Sequence, residues 1–126
     1  MVIDKIGEAL RQALVEEMDK DEKIVLIGED IGVLGGPYRV TEGLMKRYGE
    51  DRVMDAPISE NVIVGAGVGA AMTGLRPVVE IQFNDFLTCA MDQICNQAAK
   101  IRFMMGGQVD VPMVIRCPMG VTGRAA

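Results

Sequence analysis

The sequence predicts an α/β fold in which a parallel sheet is covered by helices on both faces. Short apolar or β-branched runs, Ile24-Val25-Leu26-Ile27, Val78-Val79-Glu80-Ile81 and residues 111–116, alternate with longer stretches of helical periodicity. Parallel neighbours need crossovers, and right-handed crossovers put helices on both sides of the sheet. With 126 residues, 49% apolar and 25% charged, the chain can bury a sizeable core, and it carries no low-complexity tract that would argue for disorder.

Each element has its own signal. Ile3, Ile6, Leu10, Ala13, Leu14 and Met18 recur at three- and four-residue steps opposite Glu8, Arg11, Glu16 and Glu17, which predicts an amphipathic helix ending near Lys20. The run 24–27 meets Gly28 and reads as a buried parallel strand with Glu29 and Asp30 at its carboxyl end. A glycine-rich turn over residues 32–37 leads to a short helix over 41–48 that Thr41 could cap, then to a short strand over 52–54. Ser59 is placed to cap a helix from Glu60 to about Thr73, which Gly74 stops. Pro77 opens the next strand, a long helix is predicted over 84–105 up to Gly106-Gly107, and 111–116 forms the last strand. Residues 117–126 read as irregular, with no helix to cover that strand, so a fragment of a longer protein is expected.

Composition excludes several function classes. Thirteen basic against eighteen acidic residues give a net charge of −5, which repels phosphate backbones and argues against nucleic-acid binding. The absence of histidine removes Ser-His-Asp and Cys-His systems and histidine-ligated zinc, leaving carboxylates or a bound cofactor to carry chemistry. Cys89, Cys95 and Cys117 match no metal or redox spacing, and on one helix the first two would stand roughly 9 Å apart along the axis, so buried free thiols are expected. No signal peptide or spanning segment is apparent, and a cytoplasmic protein without membrane contact is expected.

Gly65-Ala66-Gly67-Val68-Gly69-Ala70 satisfies the dinucleotide-binding pattern after three β-branched residues. About six residues then separate it from Arg76-Pro77, too few for an ordinary crossover helix, and within one helix from Glu60 the same glycines would serve close packing. Glu60 can be explained by the helix dipole alone, but its apolar neighbours, Pro57, Ile58 and residues 62–64, favour a protonated carboxyl of use to a ring nitrogen. Glu29 and Asp30 lie at the sheet edge where open α/β folds bind ligands, and can equally be a solvated pair. Phe83 and Phe86 follow a strand at a similar edge, as core or as platform, and Met104-Met105 suggests adaptable packing at a subunit contact.

Taken together, Gly28-Glu29-Asp30-Ile31-Gly32, Asp55-Ala56-Pro57-Ile58-Ser59-Glu60, Gly74-Leu75-Arg76-Pro77-Val78-Val79-Glu80, Phe83-Asn84-Asp85-Phe86 and Asn96-Gln97-Ala98-Ala99-Lys100 closely resemble one family. It is the β subunit of the thiamine-diphosphate-dependent first component of 2-oxo acid dehydrogenase complexes, of the pyruvate and acetoin type. The resemblance implies a three-layer αβα, transketolase-like pyrimidine-binding domain, of which residues 1–126 are an incomplete part with no second domain. It implies that Glu60 hydrogen-bonds the aminopyrimidine of thiamine diphosphate and activates it for oxidative decarboxylation, with acyl transfer to lipoyl groups. It also places Ile58 and Phe86 against the ring, Glu29 as a second carboxylate beside it, and Gln82 where relatives often have an apolar residue. Met113 matches a position whose carbonyl helps bind potassium in some members.

Nothing in the chain matches the family's diphosphate and magnesium motif, a Gly-Asp-Gly followed by an Asn, so the resemblance assigns magnesium to a partner α subunit and makes the chain inactive alone. The implied assembly is two α with two β subunits, serving a lipoyl-bearing acyltransferase component. Contacts are expected at the glycine face of 65–69 and around 92–99. Two other readings stay open at this stage: a dinucleotide-binding domain built on residues 65–70, and a non-catalytic subunit-interaction module.

Overall fold

In the computed structural model, which describes residues 5–120, the chain forms ten elements in the order helix, strand, helix, strand, helix, strand, three short helical turns, strand. They are α1 (Ile6–Lys20), β1 (Ile24–Gly28), α2 (Leu44–Tyr48), β2 (Val53–Asp55), α3 (Glu60–Met72), β3 (Arg76–Glu80), a 3-10 segment Asn84–Ala90, a π-helical segment Gln93–Ala98, α4 (Ile101–Met104) and β4 (Val114–Arg116). Ile3 and residues 121–126, included in the expectations above, lie outside the described residues.

The sheet is wholly parallel in the order β2-β1-β3-β4. Alternate residues feed two cores, which makes three layers. Ile24, Leu26 and Val53 join Met18 of α1 and Leu44 of α2 on one face. Ile27, Val79 and Ile81 join Ile63 and Val64 of α3 and Ala90 on the other. All five residues of β1 are buried, as a central parallel strand covered on both faces requires.

α3 carries three glycines that each cost a helix about 1 kcal/mol against alanine. Packing explains one of them directly: a Cβ on Gly67 would stand 2.5 Å from Val79 Cγ1 and 3.0 Å from Met113 Cε. The glycine lets the helix backbone lie against β3. Gly69 faces open space. Arg52 fastens the end of α1 to the sheet, donating to the carbonyls of Met18, Asp21 and Ile24 at 3.1, 2.9 and 2.9 Å.

Three expectations are corrected. The long helix over 84–105 is three short pieces, because the backbone ladder first tightens and then widens: Phe86 N–H reaches three residues back to Phe83 O at 3.1 Å, and Ala99 N–H reaches five residues back to Ile94 O at 3.0 Å. Apolar periodicity does not distinguish these ladders from an α-helix. The helix over 41–48 starts only at Leu44, since the Thr41 hydroxyl donates instead to Ile31 O at 2.7 Å. Cys89 and Cys95 are free but exposed, and Cys117 is half-buried, because the broken segment turns the first two thiols outward.

Candidate functional site

A parallel sheet gathers the carboxyl ends of its strands at one edge, where α/β folds place ligands. Gly28, the last residue of β1, stands beside Asp55 of β2 and Glu80 of β3. The residues that follow each strand therefore converge, bringing Glu29, residues 56–60 and Gln82 together. Ala56 N–H extends the β2 ladder by donating to Gly28 O at 2.8 Å, and Gln82 Nε2 donates to Glu29 O at 3.4 Å.

Glu60 is the first residue of α3 and is half-buried. The helix dipole favours a carboxylate there. Ser59 occupies the cap position without a side-chain hydrogen bond, so its role is carried by the backbone, Ile63 N–H donating to Ser59 O at 2.9 Å. Glu29 is also half-buried, and its carboxyl is held above the ordinary value, first by burial, then by Asp30, then by Glu60. The two carboxyls lie within electrostatic reach of each other. Among the described residues neither is in an ion pair.

The turn that carries Glu29 is held in place along its length. Asp30 takes a left-handed backbone, φ 55°, which aspartate tolerates better than most residues, and its carbonyl accepts Gly36 N–H at 2.8 Å. Asp55 Oδ1 accepts Gly32 N–H at 2.6 Å, and Thr41 grips Ile31 from the other side.

Two apolar residues that the resemblance places at the site are exposed. Ile58 is 74% exposed and Phe86 46%, with Phe83 meeting Phe86 edge to face at 6.0 Å between ring centroids. The apolar surroundings expected for Glu60 are thus one-sided: Ile63 and Val64 are buried, whereas Pro57, Ile58 and Val62 face outward in the single chain. Met113 is elsewhere. It precedes β4, packs in the core under Gly67 of α3, and is not brought to the Glu29–Glu60 edge.

The dinucleotide reading is overturned by position. Residues 65–70 lie in the middle of α3, not at a strand-to-helix turn, so their amides are spent in the helix. Two apolar hollows of about 560 and 310 Å³ run between α1 and the β4 edge, and neither is lined by Glu29, residues 56–60 or Gln82. Among the described residues no cluster of three or more His, Cys, Asp or Glu could hold a metal, and no helix is long and apolar enough to cross a membrane.

Sequence reasoning missed two groups. Glu80 is 4% exposed and pairs with Arg116 at 2.6 Å across the β3–β4 register, and the signal was present as one charge ending each of two apolar strands. Asp55 had no such signal, because its partner amide is 23 residues away.

Comparison with known proteins agrees with this architecture. The family model described as "Transketolase, pyrimidine binding domain" matches residues 5–126. The chain is 50% identical over 113 residues to a 2-oxoisovalerate dehydrogenase subunit beta of Pseudomonas aeruginosa, covering 90% of this chain and 32% of that protein. It is 48% identical over 121 residues to a pyruvate dehydrogenase E1 component subunit beta of Rhizobium meliloti, covering 96% and 26%. The 2-oxoisovalerate dehydrogenase subunit beta of Bacillus subtilis matches at 45% over 113 residues, 90% and 35%. The chain therefore spans about a third or less of the length of these curated relatives. With the parallel sheet, the three layers and the matched family agreeing over almost all of its residues, the chain belongs to the transketolase pyrimidine-binding domain family.

Proposed function

We propose that the chain is the pyrimidine-facing part of a thiamine-diphosphate site in the β subunit of a 2-oxo acid dehydrogenase first component, with Glu60 as its catalytic residue. The observation that carries this reading is the approach of Glu29 and Glu60 at the sheet edge, neither in an ion pair among the described residues, together with the exposure of Ile58 and Phe86. These residues suit a flat, weakly basic ring: a carboxyl for its nitrogen, apolar side chains for its faces, and the Gln82 amide nearby. They do not suit the other end of the cofactor. A diphosphate would be repelled by Glu29, Asp30 and Glu60, and the chain offers no magnesium ligand cluster among the described residues, so both belong to a partner α subunit.

When bound, thiamine diphosphate supplies the electron sink that decarboxylation of a 2-oxo acid needs. The chain's own part is proton management. Glu60 shares a proton with the pyrimidine ring nitrogen N1′, and Ile58 and Phe86 keep water from that hydrogen bond once a second subunit covers them. Glu29, whose carboxyl is held above the ordinary value by burial, Asp30 and Glu60, stands as a second carboxyl beside it. The relatives' names cover pyruvate and 2-oxoisovalerate as substrates, while acetoin rests on the motif resemblance. The same reading includes a two-α, two-β assembly, delivery to a lipoyl-bearing acyltransferase, potassium at the Met113 carbonyl and a cytoplasmic setting.

The test is Glu60→Gln in the full-length β subunit assembled with its α subunit. Exchange of the cofactor's thiazolium C2 proton should slow about 10²- to 10⁴-fold, the usual worth of a positioned acid–base group, with assembly intact. Exchange at the parental rate would show that Glu60 is not that group. Unimpaired activity with Glu29 and Glu60 both neutralised would favour a purely structural module instead.

A further inference from the structure

We propose that Asp55 is a positioning residue, holding the Glu29 turn against the Glu60 segment through the backbone amide of Gly32. This rests on the functional reading of Glu29 and Glu60, but its geometry does not. Asp55 is the last residue of β2 and stands beside Gly28, the residue before Glu29. Main-chain pairing between the two strands ends with Ala56 N–H donating to Gly28 O at 2.8 Å. Beyond that point the turn curls back, and Gly32 N–H donates to Asp55 Oδ1 at 2.6 Å. A side chain thus continues the ladder past the end of the strand. Asp55 also lies five residues before Glu60, so one residue ties both carboxyl-bearing segments to a common point.

The fit on the turn side is close. A Cβ on Gly32 would collide with Met45 Cε and stand 2.5 Å from Asp55 Oδ2, so the absence of a side chain lets the amide reach the carboxylate. The other restraints on the turn act elsewhere: Thr41 holds Ile31, and Gln82 holds Glu29 O through a longer bond of 3.4 Å. Two acidic groups act on Glu29, Asp30 on its own turn and Glu60 on α3, and both raise its proton affinity. Asp55 holds the turn as a hydrogen-bond acceptor, and an uncharged acceptor of the same shape should replace it.

The experiment follows the Glu29 carboxyl by ¹³C NMR titration in the full-length subunit, without thiamine diphosphate, so that a failure of the cofactor reading leaves this measurement untouched. In the parent, the Glu29 midpoint should lie above that of a free glutamate, raised by burial, Asp30 and Glu60. Asp55→Ala frees the turn, and the Glu29 midpoint falls toward the ordinary range. Asp55→Asn keeps an oxygen for the Gly32 amide and restores the parental midpoint. Gly32→Ala, which pushes the turn off Asp55 while leaving the carboxylate in place, reproduces the fall and covers the case in which Asp55→Ala does not fold. Parental titration in Asp55→Ala or Gly32→Ala overturns the proposal. So does an Asn variant that behaves like Ala, since charge would then be the agent. In the assembled enzyme the matching expectation is a kcat lowered about tenfold or more in Asp55→Ala with KM little changed, as small misplacements of reacting groups produce.

Discussion

Glu80 and Glu60 sit close to the same sheet edge and are treated in opposite ways. Glu80, closing β3, is 4% exposed and is met by Arg116 at 2.6 Å from the neighbouring strand. Glu60, one element away, and Glu29 beside it are half-buried and have no cation among the described residues. Burying an unpaired charge costs several kcal/mol, so a carboxylate kept for architecture carries its counter-ion within the fold. A pair left uncompensated at an edge is available to a group brought from outside. Glu29 meets its partial burial by holding its proton more firmly, not by pairing.

The largest break in this contrast is Arg116→Met, which strands the Glu80 carboxylate and should cost about 3–5 kcal/mol, read as a shift in urea midpoint. A loss under about 1 kcal/mol would erase the distinction between the two glutamates. The pH dependence follows from direction alone. Burial lifts Glu80 above its ordinary 4.5 and Arg116 opposes that lift. The native state therefore keeps a proton that the unfolded chain has released, so Glu80's contribution to stability is fullest below 4.5 and declines as pH rises through the folded value. Removing Arg116 should steepen and extend that decline.

The same inward and outward contrast recurs along α3. Gly67→Ala drives a methyl into Val79 and should cost about 1–3 kcal/mol. Gly69→Ala meets nothing within 4 Å and should stabilise the helix by about 0.5–1 kcal/mol, and thermal melts of the pair would sharpen the comparison if they move in opposite senses. The smallest expected effect is that of Glu60→Gln on stability, within about 0.5 kcal/mol in the same melts. A large drop would make Glu60 structural, as Glu80 is.

Much of this was readable before any coordinates. The runs 24–27 and 78–81 announced buried parallel strands because strands covered on both faces cannot alternate, and Gly74, at φ 96°, ended α3 as foreseen. Glu29 and Glu60 were picked out by their places at a strand end and a helix start. The hydrogen-bond register of the 84–105 stretch was hidden, because i+3, i+4 and i+5 ladders share nearly the same apolar spacing. The Asp55–Gly32 contact was hidden for a different reason: it depends on how far a turn curls back, which neither residue announces. Exposure of Cys89 and Cys95 followed from the same unforeseen break.

β1 lies between β2 and β3 in the sheet although it precedes both of them in the chain. Its partners arrive much later, β2 at residues 53–55 and β3 at 76–80. A nascent chain leaving the ribosome must therefore carry four consecutive apolar residues, Ile24-Val25-Leu26-Ile27, with one hydrogen-bonding flank open until about twenty-five more residues have emerged and the other until about fifty, and pairings this distant in sequence are slow to close. The strand that organises the finished domain is thus one whose edges wait on distant partners during translation.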